Sequence, residues 1–362
     1  MENASDSLVR KTATHIIFHK YPGLIRKMRQ NGLPAARISE MSESELRAVG
    51  CRSAEFEDIK RSFPECGLRE LRLAASQGVT VIADDDSRYP GLLSKIYDPP
   101  AIIYVLGKPE LLKRESLAVV GSRRASSYGY RVLEDLLPAV CRSGLVIVSG
   151  MAYGIDARSH TISLREKGMT VGVNAGGLLH LYPAGNQGLI RAIVEHGAVA
   201  SEFPLEIIPR PFYFPIRNRV IAGLSRAVLV VEAAPKSGSL ITARLALEQN
   251  REVMAVPGPI TSPLSEGTNM LLQDGAKIVL RPADILEEYG LRAKDDQLVE
   301  AALAPREKRV LDLLAENEVK SIDDFVEDLG FSTPETISLL MGLLLKNLVV
   351  EEAGFFRRKS NA

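Results

Sequence analysis

The sequence predicts an α/β protein with a doubly wound, mainly parallel sheet, flanked by a helical N-terminal domain and a C-terminal winged-helix domain. Three observations carry this reading. From Leu117 to about Leu280, short apolar runs alternate with helical stretches: "LAVV", "LVIVS", "TVGVN", "AVAS", "AVLVVE", "EVMAVP" and "KIVL". Strands that are apolar throughout, rather than alternately polar, belong to a parallel sheet covered on both faces. The first 80 or so residues carry helix signals instead, and the last 58 read as three helices followed by a hairpin.

In chain order, residues 1–80 include "SESELRAVG", where Ser42 stands three before Glu45 in capping-box spacing and Gly50 closes the helix. Two apolar runs follow, Val79 to Ala83 and Ala101 to Leu106, separated by Pro90, Pro99 and Pro100. They form an entry into the sheet domain, which we place at 81–290. Residues 291–304 read as a linker. In 305–362, "PREKRVLDLLAEN", "SIDDFVEDLG" and "STPETISLLMGLLLKN" are the three helices. The last opens at Ser332 with Pro334 in its first turn and Glu335 three residues on. "LVVEEAGFFRRKS" turns about Gly354 as a hairpin. No fixed-period repeat is present.

The bulk numbers exclude several classes. A chain of 362 residues is too long for one ordinary core. Apolar residues at 46% and charged residues at 25% are globular proportions. Basic and acidic residues balance at 45 each, so attraction to a polyanion has to come from a local patch. Cys51, Cys66 and Cys141 are widely spaced, which favours neither a disulfide framework nor a zinc site. The N-terminal segment lacks an apolar signal core, and no run nears the roughly 18 apolar residues of a membrane span. We therefore expect a cytoplasmic protein without a membrane partner.

In an open parallel sheet, ligands bind beyond the carboxyl ends of the strands, where loops meet helix N-termini. Four of those ends carry glycine with hydroxyl or basic residues: Gly121 to Arg124, Gly150 to Asp156, Ala175 to Gly177, and Lys236 to Ser239. Glycine admits close backbone approach and a helix N-terminus favours an anion, so the expected ligand carries phosphate. The alternative is that the glycines only make tight turns. Neither GxGxxG nor GxxxxGK[ST] is present, which argues against a dinucleotide or a nucleoside triphosphate. Between Pro209 and Arg251 stand Arg210, Arg217, Arg219, Arg226, Lys236, Arg244 and Arg251, against only Glu232 and Glu248. Phe212, Tyr213 and Phe214 lie beside them. Forked cations and ring faces suit a strand with unpaired bases. Core packing is the competing reading for Phe214, and a solvated helix face is the competing reading for Arg226, Arg244 and Arg251.

Catalytic candidates are weaker. Asp156 and His160 share a helix face, but a carboxylate at a helix start bonded by histidine a turn later accounts for both. Glu202 and Glu232 follow strands and remain possible acids, but with no nucleophile nearby in sequence they read as partners for the arginines. The remaining histidines have no metal-ligand spacing, and we expect no metal and no cofactor.

"VVGSRRASSYG", "SGMAYGIDARSH", "YPAGNQGLI", "SEFP", "FPIRNRVIAGLS", "VVEAAPKSGSLITARLALEQNREVMAVPGPI" and "SEGTNMLLQDGAKIVL" closely resemble, in order, the signature blocks of the DprA/Smf DNA-processing family. The resemblance spans residues 88 to 280 densely. It implies an extended Rossmann-like domain that binds and protects single-stranded DNA and helps load RecA recombinase in natural transformation, as a homodimer without turnover chemistry. By motif, Arg123, Phe214, Arg217, Asn218, Lys236, Ser237, Gly238 and Ser239 would line the DNA pocket, and Ser122, Gly150 and Gly154 would shape its floor. Arg219, next in the same cationic run, joins them as a phosphate contact. Two departures stand out. "NAGG" at Asn174 to Gly177 replaces a common Gly-Thr-Gly and would alter ligand contacts there, and Ile216 occupies an often basic position. The third C-terminal helix holds only Lys346 as a cation, so a packing or protein-interaction role suits that domain better than major-groove reading; Arg357, Arg358 and Lys359 form a basic tail. The rival function on such a scaffold is a nucleotide or nucleoside-phosphate hydrolase.

Overall fold

The computed structural model describes residues 6–31, 33, 38, 40–291, 303–314, 318–345, 348–352 and 354–358. Most of the expected linker, together with Lys346 and Lys359, lies outside them. The chain divides into two compact units, Met1–Val279 and Leu280–Ala362.

The first unit opens with five helices, α1 (Asp6–Lys20), α2 (Pro22–Gln30), α3 (Glu43–Ala48), α4 (Ser53–Ser62) and α5 (Glu65–Ser76). The capping box before α3 forms: the Ser42 hydroxyl accepts from Glu45 N, and the Glu45 carboxylate accepts from Ser42 N at 2.7 Å. Ile17, Met28, Leu46 and Ile59 fill a small core between these helices. Helices α1 and α5 meet at Gly67, where a Cβ would lie 2.2 Å from the Val9 carbonyl oxygen, so only glycine permits the approach.

A nine-stranded sheet follows. Its elements are β1 (Val79–Ala83), β2 (Ile102–Gly107), β3 (Ser116–Val120), α6 (Ser127–Arg142), β4 (Val146–Ser149), α7 (Ile155–Arg165), β5 (Thr170–Val173), α8 (Gln187–His196), β6 (Ala198–Ser201), α9 (Tyr213–Leu224), β7 (Ala227–Val230), α10 (Gly238–Glu248), β8 (Glu252–Ala255), α11 (Glu266–Gln273) and β9 (Lys277–Ile278). Every apolar run singled out in the sequence forms a strand. The spatial order is β1-β2-β6-β5-β4-β3-β7-β8-β9. All pairings from β6 to β9 are parallel, whereas β2 joins β6 antiparallel and β1 joins β2 antiparallel. Strands β3 to β7 are buried throughout, as continuous apolar runs require. The chain winds outward from β3 through β4, β5 and β6, then returns to the other flank of β3 as β7. That reversal is a topological switch point, the place where open parallel sheets bind their ligands.

The second unit contains α12 (Pro282–Leu286), α13 (Pro305–Asp312), β10 (Val319–Ser321), α14 (Ile322–Leu329), α15 (Thr333–Leu345), β11 (Val349–Glu352) and β12 (Phe355–Arg358). Val310, Phe325, Leu340, Leu343 and Phe356 are its core. The hairpin β11–β12 turns at Gly354, whose φ of 83° lies in the region glycine favours. Strand β10 pairs with β12 and completes a three-stranded sheet. Three residues leave too short a pattern for the sequence to announce it.

Candidate functional site

Four loops meet at the switch point. After β3, Ser122 N donates to the Glu232 carbonyl at 2.8 Å, and the Ser122 hydroxyl accepts from Arg124 N at 3.1 Å. The Ser122 carbonyl accepts from Ile155 N at 3.2 Å, which ties this loop to the start of α7. Ser122 is thereby buried while Arg123 and Arg124 remain exposed on the turn. Ser126 caps α6 by accepting from Tyr128 N and Gly129 N.

The glycines after β4 are explained by packing. Gly154 has φ 78°, and a Cβ there would lie 2.2 Å from the Ser122 carbonyl oxygen. At Gly150 a Cβ would meet the Arg217 guanidinium at 2.7 Å. The Gly150 amide donates to Asp156 Oδ2 at 3.1 Å, so it is already committed within the protein. These glycines form a floor by letting the β3 loop and an arginine come close.

The arginines of α9 divide sharply. Arg217 is 4% exposed, and Nη1 donates to the carbonyls of Gly150, at 2.8 Å, and Val173, bridging the ends of β4 and β5. Burial pushes its pKa down to about 10, the nearby Asp156 charge opposing that shift and Arg123 adding to it. Asp156, buried in turn, has its carboxyl pKa raised by desolvation against the pull of Arg217. Arg217 is therefore a strut that places positive charge under the floor, rather than an open fork on the surface as the sequence suggested. Arg219, two residues on, leaves the cluster altogether. Its guanidinium donates to the Asp98 carbonyl and pairs with Glu202, whose side chain is 4% exposed.

Around the Arg217 strut the remaining candidates are contiguous. The Phe214 ring has the Arg123 guanidinium 5.2 Å from its centroid and that of Arg217 at 5.8 Å. Arg217 Nε donates to Asn218 Oδ1 at 3.2 Å, and Asn218 Nδ2 donates to the Gly238 carbonyl at 3.4 Å. Gly238 opens α10, where the Ser237 hydroxyl accepts from Ser239 N and lies 2.7 Å from the Ser239 hydroxyl. Lys236 and Gly238 are exposed, and nothing lies within 4 Å of where a Gly238 Cβ would stand. Arg123, Phe214, Asn218 and the Lys236–Ser239 loop thus form one rim over Arg217, in which Arg123, Lys236 and Gly238 are exposed, Phe214, Asn218 and Ser237 half-buried, and Ser239 buried.

Other expectations change. Glu232 pairs with no arginine: its carboxylate accepts from Ser126 N at 2.8 Å and from the Ser126 hydroxyl at 2.5 Å, bracing the start of α6. His160 does not bond Asp156. The Thr170 hydroxyl donates to the Ile147 carbonyl, so Thr170 Oγ1 accepts from His160 Nδ1, 2.6 Å away. Burial holds this imidazole neutral, its pKa lowered to about 3. Asn174 is buried and organises its own loop, with Nδ2 donating to the carbonyls of Gly176, Gly177 and His180 and Oδ1 accepting from Tyr182 N. The "NAGG" departure therefore shapes a turn and presents no side chain to a ligand. The seven cations between Pro209 and Arg251 do not form one patch either. Arg244 pairs with Glu248 and Arg251 donates to the Leu92 carbonyl.

The sequence reading missed Tyr182, 41% exposed, whose ring meets Phe214 edge-on at 5.4 Å. It stands 32 residues from Phe214 in the chain, and only the fold joins them. Among the described residues, no group of histidine, cysteine and acidic side chains is arranged to hold a metal ion, and no helix is long and apolar enough to cross a membrane.

The mainly parallel sheet, with exposed cations beside a ring at its switch point, places the molecule among doubly wound α/β proteins. Comparison with known proteins narrows the class. The family profile of DNA recombination-mediator protein A matches residues 80–290, and the chain belongs to that family. It is 44% identical over 252 residues to the DNA processing protein DprA of Bacillus subtilis, covering 69% of this chain and 83% of the relative. It is 39% identical over 291 residues to protein Smf of Escherichia coli, covering 78% of each. The X-ray structure of DNA processing protein A from Streptococcus pneumoniae superposes with a TM-score of 0.64 at 33% identity, over 80% of this chain and 99% of that one. A Helicobacter pylori DNA processing protein A, whose structure concerns its single-stranded DNA binding mode, superposes with a TM-score of 0.53 at 29% identity, over 57% of this chain and 93% of that one.

Proposed function

We propose that this protein binds single-stranded DNA along the switch-point rim, protects it, and helps load RecA recombinase during natural transformation, acting as a cytoplasmic homodimer without turnover chemistry. The observation that carries the reading is the stack of Arg123 on Phe214 above buried Arg217, continuous through Asn218 with the Lys236–Ser239 loop. Arg123 and Lys236 neutralise phosphates. Phe214 supplies a face for an unpaired base, and the α10 N-terminus adds the Ser237 hydroxyl and the exposed Gly238 backbone. Ser122, Gly150 and Gly154 hold the floor. The match to a Helicobacter pylori relative studied for single-stranded DNA binding supports the same ligand. The rival hydrolase reading would need Glu202 or Glu232 as its acid; Glu202 is 4% exposed and paired with Arg219, and Glu232 is 1% exposed and engaged by Ser126. We read the second unit as a winged helix with a protein-interaction role.

The test is a fluorescence-anisotropy titration with oligo-dT and matched duplex at two ionic strengths. Wild-type protein should favour the single strand and lose affinity steeply with salt, through counterion release. Arg123→Ala and Lys236→Ala should each weaken binding regardless of base sequence. Unchanged affinity in both variants would overturn the assignment.

A further inference from the structure

Beside the rim lies a cleft of about 460 Å³ that the cationic cluster does not use. It is built from the loop that follows β5, the start of α8, and Ile208 with Pro209. Leu178 and Ile190, both nearly fully buried, form its floor. Ile208 is 62% exposed and Tyr182 41%, so its walls are uncovered apolar and ring surface. The mouth carries polar groups: exposed His180, Gln187 and Arg191. A mostly apolar concavity with a few convergent polar groups is the usual form of a small-ligand site.

What links the cleft to the rim is Tyr182. Its ring lines the cleft and also meets Phe214 at 5.4 Å, and Phe214 in turn lies 5.2 Å from the Arg123 guanidinium. The path from phosphate-binding cation to apolar cleft therefore passes over two adjoining rings, and the only charged residue in the lining is a cation, Arg191. We infer that this cleft is a nucleobase subsite: it takes one unpaired base of the strand whose phosphates lie on Arg123 and Lys236. The base packs against Tyr182 and Ile208, with Gln187, His180 and Arg191 facing its polar edge. This rests on the single-strand reading above, but makes a separable claim. The rim binds backbone and offers the Phe214 ring to a base, and the cleft adds a further preference for strands that carry bases.

The experiment compares an oligo-dT with an abasic strand of equal length and charge. Stacking of one base predicts that wild-type protein prefers oligo-dT by about 5- to 150-fold. Ala184→Trp fills the cleft from its exposed edge, and Tyr182→Ala removes a wall. Each should lower the preference at least fivefold while affinity for the abasic strand stays within twofold, a value that also reports intact folding. Arg123→Ala should weaken both strands by the same factor. A base preference undiminished in both cleft variants, or abasic binding that falls together with oligo-dT binding in them, would overturn the subsite. Loss of affinity in the cleft variants only for an apolar peptide would assign the cleft to a protein partner and overturn it too. Arg123→Ala without effect on either strand would instead remove the underlying function.

Discussion

Arg217 and Arg219 stand two residues apart on one helix, and the regions they enter differ in almost every physical respect. Toward the switch point, Arg217 supports an exposed rim in which Arg123 and Lys236 face solvent. Toward the helical layer, Arg219 joins a closed junction. There it pairs with Glu202, the Glu202 carbonyl bonds His15 Nε2 of α1 at 2.6 Å, and Leu205 N donates to Glu70 of α5 at 2.7 Å. Burial pushes the Glu202 pKa up to about 7 against the Arg219 charge, and pushes that of His15 down to about 4. A ring chain of His15, His19, Phe203 and Tyr213 continues from α1 to the start of α9. The contrast teaches what each cation is for. A charge buried with partners fixes geometry at a desolvation cost, while an exposed one contributes little stability and stays free for a ligand.

The comparison breaks most visibly at the strut. Arg217→Met should strand Asp156 and two strand-end carbonyls, costing about 3 to 5 kcal/mol in urea unfolding. A loss under about 1 kcal/mol would mean that Arg217 belongs to the rim after all.

Acid should act on the junction next. His15 has a folded pKa of about 4 against an ordinary 6.5, so between those values the unfolded chain binds more protons and stability falls as pH drops. Glu202, raised to about 7 from 4.5, has the opposite sign, its contribution falling as pH rises through that window. Comparing wild-type protein with His15→Gln isolates the histidine. The variant should be spared about 3 kcal/mol of the acid destabilisation between pH 6.5 and 4. Parallel stability curves would show that His15 does not titrate as its burial requires.

At the rim the expected pattern reverses. Lys236→Ala should leave unfolding stability within about 0.5 kcal/mol. Its slope of log affinity against log salt for single strands should fall by about 0.7. An unfolding loss like that of Arg217→Met would erase the distinction between strut and ligand contact. The smallest expected change is a gain. Ile216 is 39% exposed beside the rim, and Ile216→Arg should steepen the salt slope by about 0.7 and raise low-salt affinity a fewfold. No change in slope would place that side chain off the path of the strand.

Much of the fold was legible because local chemistry announces it. The capping box at Ser42, the turn at Gly354 and the seven apolar runs each form as read, since each depends on neighbours in the chain. The antiparallel addition of β1 and β2 was not specified, because an apolar run records burial without naming its partner strand. At the site, the loops with glycine, hydroxyl and basic residues were found from composition alone. The separate fates of Arg217 and Arg219, the engagement of Glu232 by Ser126, and the meeting of Tyr182 with Phe214 depend on side chains distant in sequence.

By itself, then, the sequence determined a doubly wound sheet whose strand ends carry glycine, hydroxyl and basic residues, because strand burial and turn formation are written in short-range patterns. Tertiary structure alone decided which cation stays exposed and which is scaffold, since that choice depends on how much water each guanidinium loses and on which carbonyls and carboxylates replace it.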